Sequence, residues 1–595
     1  MCRIAGIASL NIIPKRDEQL HAMMNAIAHG GPDDKGEYAD DVVALGHRRL
    51  SIIDLSPAGR QPMCSTDSEL IISFNGEIYN YQALKKELEA LGAIFRTQTD
   101  TEVILQSYKY WGSGSFGRLE GIFAFSLYDK SKRKLLLVRD HVGVKPLYYF
   151  MGDKLLIFAS EVRAFRAFNK NWKAYDDWKI LFLAFGSIPL PFTTLDQVYQ
   201  LHPGKCMELD LNDFTYTIQN LSVPVKNYSY PNLAEESEAI HVAVQQAVKK
   251  NLISDAPLGI FLSGGVDSSV LTLLADKFQD GTKTISINFD NASFDEYPFQ
   301  KMVLEKTKSV DHTAHRVTER MFWDELDNFW SAMDQPTIDG VNTYFVSKCA
   351  HRDGLKAVLS GLGADEVFGG YASFKRIRLL KRLRSLPFKN SVAKIIGFHK
   401  HAYRRLMFLD MPQPVGDYLF LRGIHTPDVI GSILNLPENE IWDVLRLVQV
   451  EMPEKRLTDH EYVSFLESKI YLTNQLLKDT DCMGMWHGLE VRVPFLDIEL
   501  LSRVESIKPS HRYKDGTHKF LLAESMRNIV PGAILGRQKK GFTFPMSVWM
   551  QNSPAKFEEL AGKNRSTDGI VRGFKKGYDH WSKYWSLAVL NQFKH

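Results

Sequence analysis

Cysteine is scarce in this 595-residue chain: five residues, Cys2, Cys64, Cys206, Cys349 and Cys482, no two of them at zinc or redox spacing. That excludes a disulfide framework and points to a reducing compartment, the cytoplasm. An excess of one charge is also missing. Lys and Arg number 73 against 70 Asp and Glu, and a net charge of +3 is too small to gather nucleic acid by bulk electrostatics. No apolar run is long enough to cross a membrane, and the interrupted stretch from Ile4 to Ile13 lacks the core and cleavage pattern of a signal peptide. No Gly-Lys-Ser/Thr triplet occurs, which rules out a Walker phosphate loop. What is left is an ordinary globular composition, 44% hydrophobic and 24% charged, in a chain long enough for more than one core.

Phosphate handling is spelled differently here. Ser263-Gly264-Gly265-Val266-Asp267-Ser268-Ser269 follows a strand-like run ending in Phe261-Leu262 and precedes helical sequence from Val270 to Ala275. A strand, a glycine turn and a helix start put backbone N–H groups at the positive end of a helix dipole. Gly264 and Gly265 let the backbone approach phosphate oxygens, and Ser263, Ser268 and Ser269 add hydroxyl donors. Asp267 suits a magnesium ion bridging phosphates, since hard oxygens are its usual ligands. The competing reading is an ordinary turn with an N-cap. Thr284 to Phe289, which includes Ile287, reads as a second strand whose end lies beside an adenine in a doubly wound sheet. A third apolar stretch, Lys356 to Leu359, runs into Ser360-Gly361-Leu362-Gly363-Ala364-Asp365-Glu366 and on to Tyr371.

At the other end, Cys2 follows the initiator directly. With Met1 removed, its α-amine, of pKa about 8, is a built-in base for its own thiol. Arg49-Leu50-Ser51-Ile52-Ile53-Asp54, Phe74-Asn75-Gly76-Glu77-Ile78-Tyr79-Asn80 and Thr97-Gln98-Thr99-Asp100-Thr101-Glu102 then occur in order. Together with Cys2-x-Ile-Ala-Gly-Ile they resemble the class II glutamine amidotransferase domain, an N-terminal-nucleophile hydrolase, over residues 2–210. By that resemblance Cys2 attacks the side-chain amide of glutamine, and Asn75 and Gly76 form the oxyanion hole. Arg49 holds the glutamine α-carboxylate, Asp100 its α-ammonium, and Glu77 helps hold the amino-acid end. Two departures stand out: Gly30 in His29-Gly30-Gly31-Pro32-Asp33, where the family commonly has arginine, and His141 in Asp140-His141-Val142-Gly143.

The Ser263–Ser269 loop resembles that of the ATP pyrophosphatases, which split ATP between its α and β phosphates. Joined to a cysteine glutaminase, it identifies the chain as a member of the asparagine synthetase family. The fold this implies is α/β: an αββα sandwich over 2–210, a linker over 211–232, and a doubly wound parallel sheet with helical additions over 233–595. It further implies ATP contacts from Phe261, Ser263, Gly264, Gly265, Asp267, Ser268, Ser269, Ile287, Ser360 and Gly361, with magnesium at Asp267 and Asp365. Lys539, in Arg537-Gln538-Lys539, is the candidate for stabilising charge on the phosphorus and its leaving group. Glu490 and Arg492 read as a structural pair. Aspartate is the family's acceptor, but Leu362 stands where glutamate is usual and can neither take a proton nor bind a cation. Glu366 or a water then has to substitute, and another small carboxylate, such as a uronic acid, remains open as acceptor. A sensor of glutamine or nucleotide without turnover is the reading from another class. Residues 375–405 carry eleven Lys or Arg and no acid, which suits either a solvated packed helix or an amphipathic helix on an anionic membrane. A homodimer is compatible with all of this.

Overall fold

The computed structural model describes residues 2–223, 226–384, 401–514, 517–537, 541–562 and 565–593. Its first strand, Arg3–Ser9, is buried along its whole length, so both of its faces must find apolar partners. Ile4 and Ala8 face a layer shared with Val43, Leu45, Ile71 and Leu137. Ala5 and Ile7 face the helix Arg16–Ala26 through Leu20, Met23 and Met24. The strand pairs antiparallel with Val43–Arg49 and Leu155–Ala159 in a six-stranded sheet. A second six-stranded sheet, also antiparallel, is centred on Leu70–Ile78, Gly121–Asp129 and Lys134–Arg139. Its outer face, with Ile72, Phe74 and Phe125, takes the helices Tyr81–Ala90 and Asp100–Trp111 through Leu84, Leu88, Val103 and Ile104. Helix, sheet, sheet and helix make the expected αββα sandwich.

That second sheet runs on past residue 210, where the sequence puts the linker. Tyr216–Asn220 pairs antiparallel with Lys205–Asp210, because the chain reverses tightly at 211–215 with Phe214 at φ 64°. The helix Leu233–Asn251 opens the second half, capped by the Asn232 side chain, which accepts from the N–H groups of Ala234 and Glu235.

The sheet of the second half has five strands, all parallel, in the order Asp311–Arg316, Lys283–Asn288, Leu258–Phe261, Ala357–Leu359, Glu490–Arg492. Both faces are covered, as parallel sheets require. Ala357 and Leu359 face a cluster with Leu271 and Leu274, while Val358 faces one with Tyr344 and Phe345. The strand order reverses beside Leu258–Phe261, and a crevice opens at such a switch point, outside the carboxyl ends of the strands. A long helical run from Asp459 to Trp486 crosses this end, its middle, Glu467–Leu476, wound as a π-helix.

Residues 375–384 of the basic segment are described. Its helix Ser373–Arg384 buries Phe374, Ile377 and Leu380, with Lys381 paired to Asp459 and Arg384 to Asp417. That part is a packed, ion-paired helix; 385–400 lie outside the described residues. Among the described residues no helix is long and apolar enough to cross a membrane.

Candidate active site

Cys2 stands at the head of the first strand, 7% exposed, in a cavity it shares with Arg49, Leu50, Gln61, Gly76 and Asp100. Its backbone N–H donates to Asn75 Oδ1 at 3.1 Å. Asn75 is fully buried, and its Nδ2 has no hydrogen-bond partner among the described residues, so a donor is held ready beside the thiol. Gly76 is next on the same strand, and a Cβ there would lie 2.2 Å from the Ile122 carbonyl oxygen. Burial pushes the Cys2 thiol up to about 11, against the pull of the nearby terminal amine, a Leu50 backbone hydrogen bond and Arg49. Such a thiol needs a local base before it can attack.

Arg49 is fixed by its own loop, its guanidinium donating to the carbonyls of Ser56 at 2.9 Å and Asp54 at 2.5 Å. Gly59 packs directly under it, since a Cβ there would meet Nη2 at 2.1 Å. Asp100 accepts the Ile78 N–H at 2.9 Å. Burial raises Asp100 to about 6, against its backbone hydrogen bonds. Glu77 is raised well above the carboxylate range by burial and by Glu490 and Asp100, with Arg492 opposing at 3.6 Å. The missing side chain at Gly30 has a spatial reason: a Cβ there would lie 2.6 Å from Arg3 Cγ, so the arginine beside Cys2 fills that space.

In the second half the loop after Leu258–Phe261 folds on its own hydroxyls. Ser269 Oγ donates to the Gly265 carbonyl at 2.7 Å, and Ser263 and Ser268 hydroxyls lie 3.1 Å apart. Gly264 takes φ 75°, closed to ordinary side chains, and Val266–Phe278 starts as a helix immediately after. The Ser360–Tyr371 segment leaves the neighbouring strand and meets this loop, with a Cβ at Gly361 falling 2.6 Å from Asp267 Cβ. Ile287 is buried in the adjacent strand and Phe261 half-buried at the strand end. The strand ends and loops that carry the expected nucleotide contacts thus adjoin one another, while Lys539 lies outside the described residues. Its neighbour Arg537 does reach the loop, donating to the Gly264 carbonyl at 3.2 Å.

The lysine the structure puts at the centre is Lys519. Its Nζ lies 2.5 Å from Asp267 Oδ2 and 2.7 Å from Asp365 Oδ1, joining the two candidate metal ligands. Burial works against its charge, but Asp267 and Asp365 outweigh it and hold the ammonium protonated. Gly370 is required by this arrangement, because a Cβ there would lie 1.7 Å from Asp365 Oδ1. Lys519 was invisible in the sequence, having no neighbours of recognisable spacing. Glu366 is one residue along: Oε1 accepts from the Tyr371 hydroxyl at 2.6 Å, and Oε2 is buried with no hydrogen-bond partner among the described residues. Burial and Asp365 raise Glu366 to about 7.

The two centres are joined through a single apolar cluster that runs from Leu50, Tyr79, Ile122 and Val144 to Leu262 and Val493. Around it buried charges cross the boundary. Asp481 takes Arg3 at 2.7 Å and Lys145 at 2.9 Å. Arg492 pairs with Glu490 as expected, but also reaches Glu77, and its carbonyl accepts the Ser360 N–H at 2.8 Å.

Residues 1–220 match the glutamine amidotransferase domain family and residues 239–573 the asparagine synthase family. Asparagine synthetase [glutamine-hydrolyzing] 1 of Bacillus subtilis is 30% identical over 96% of this chain and 91% of its own length. The amidase chry2 of Gibberella zeae is 27% identical over 89% of this chain and 86% of its own. A solved glutamine phosphoribosylpyrophosphate amidotransferase from B. subtilis, complexed with ADP and GMP, aligns at 15% identity with a TM-score of 0.30, over 53% of this chain and 81% of that one. With a cysteine-headed sandwich and a serine–glycine loop on a parallel sheet in one chain, this protein belongs to the asparagine synthase family, carrying a glutamine amidotransferase domain ahead of the synthase domain.

Proposed function

We propose that the chain is a glutamine-dependent asparagine synthetase. Cys2, freed of Met1, passes its thiol proton to its own amine and attacks the glutamine side-chain amide. Arg49, Asp100 and Glu77 hold the amino-acid end, and the Asn75 Nδ2 and Gly76 N–H groups receive the oxyanion. The ammonia released crosses to the second centre. There a carboxylate of aspartate attacks the α-phosphorus of ATP lying in the crevice. The hydroxyls and helix start of the Ser263–Ser269 loop, with Lys519, take up the charge of the departing pyrophosphate. Ammonia then displaces AMP, and Glu366 Oε2 is the buried acceptor available for its proton. Asp267 and Asp365, both held by the Lys519 ammonium here, are the carboxylates that would hold magnesium; when bound, it would neutralise the leaving group further.

The observation that carries this reading is the buried apolar cluster between the two centres, because ammonia lost to water is useless to the second reaction. Aspartate comes first on the likeness to the B. subtilis asparagine synthetase. Leu362, half-buried against that cluster, and the amidase relative keep a different carboxylate as the second reading. The purified protein should make asparagine and AMP from aspartate, glutamine and Mg-ATP. Cys2→Ala should abolish the glutamine-dependent reaction and leave the ammonia-dependent one, since the chemistries stand on separate domains. Equal loss with both nitrogen sources would sink this assignment, and ADP as product would sink the role given to the loop.

A further inference from the structure

Arg422 ends the helix Val415–Arg422 and lies in the notch of two perpendicular tyrosine rings. Its Cζ is 4.4 Å from the Tyr371 centroid and 3.8 Å from that of Tyr471. Glu467, one π-helical turn before Tyr471, takes Nε at 2.6 Å, and Ser373 in turn holds Glu467 at 2.5 Å. The stem is therefore fixed on three sides. Yet no described group accepts a hydrogen bond from Nη1 or Nη2, and 23% of the side chain remains exposed while Nε is buried. A guanidinium held rigid with its outer edge unused is a preorganised fork for a carboxylate, the geometry arginine binds best. It stands next to the adenylation centre. Tyr371, which it contacts, donates to Glu366, and Glu366 adjoins Asp365 of the Lys519 bridge. Glu366 is fully buried, and its Oε2 has no hydrogen-bond partner among the described residues.

From this placement we infer that Arg422 is a specificity-determining residue: its Nη edge binds a second carboxylate of the acceptor, one not itself activated by ATP. The acceptor class is then a dicarboxylic acid, and a sugar acid with a single carboxylate is excluded. The inference rests on the adenylation chemistry proposed above. Tyr371 and Tyr471 position the fork and Glu467 keeps its charge balanced when the site is empty. π-Helical turns recur at functional sites, and this one supplies both Glu467 and Tyr471.

The test is ATP–pyrophosphate exchange driven by aspartate, succinate, β-alanine or glucuronate, with full-length protein. The two dicarboxylates should exceed β-alanine and glucuronate in kcat/KM by at least about tenfold. Arg422→Gln should erase that preference through KM for the dicarboxylate, with KM for ATP retained. Arg422→Lys, which keeps the charge and stem but loses the planar fork, should erase most of it; it carries the test if the Gln variant melts early. A dicarboxylate preference that survives both changes overturns the inference, as does a wild type that prefers the monocarboxylates. A wild type that exchanges with none of the four instead removes the adenylation reading, and the inference with it.

Discussion

At the scale of single residues, each centre depends on a group held against its natural preference. Lys519 is a buried ammonium kept charged by two carboxylates, and removing it would leave Asp267 and Asp365 facing one another across a few ångströms. Lys519→Met should cut amide synthesis and pyrophosphate exchange by about 10²-fold or more while glutamine hydrolysis continues, which separate assays of glutamate and pyrophosphate would resolve. Asp100 carries a pH signature. Burial lifts it to about 6, so the free enzyme loses this carboxylate as pH falls through that value, and with it the partner proposed for the glutamine ammonium. The kcat/KM for glutamine should therefore drop on the acid side of about 6, with kcat at saturation dropping less. Glu77 shares the site, so the midpoint belongs to the pair. Asp100→Asn should flatten this limb, and a limb that persists unchanged would assign it elsewhere.

At the scale of elements, the segments proposed to carry the two chemistries are short and contiguous, which is why they could be read from the chain. Ser263–Ser269 is bounded by a strand and a helix whose apolar patterns announce themselves, and Asn75-Gly76 sits within one strand. Lys519 and Arg422 could not be read. Each owes its position to elements folded far away in sequence, Lys519 to carboxylates at 267 and 365, Arg422 to rings at 371 and 471. The π-helix was equally hidden, since apolar periodicity does not distinguish one extra residue per turn. The one-turn helix Ala364–Phe368 shows how closely such an element is specified. Gly363 and Gly369, at φ 94° and 84°, start and stop it, and Gly370 makes room for Asp365. Gly370→Ala should displace Asp365 and depress pyrophosphate exchange about as much as Lys519→Met does, with the melting temperature lowered by only a few degrees.

At the scale of the molecule, the halves meet through apolar packing and through charges that face no water. Asp481 answers Arg3 and Lys145 together, and Asp334 receives the N–H groups of Val162 and Arg163. Asp481→Ala should cost about 3–5 kcal/mol in denaturant unfolding, because buried Lys145 loses its ion-pair partner and Arg3 keeps only Glu161. It should also raise the ratio of glutamate formed to amide formed, since ammonia escapes where the seam loosens. Such a seam has a bearing on ancestry and on engineering. Asp481 belongs to one half and its two cations to the other, so neither half is a free-standing cassette. A crossover in the stretch 221–232 that joined this sandwich to a relative's synthase would bring Arg3 and Lys145 to a stranger, and the hybrid would fold and channel only where the newcomer offered an acid at the same spot. Recombination among relatives is thereby filtered for whole inheritance, and a designer grafting a new acceptor specificity does better to rebuild the crevice than to exchange the half that holds it.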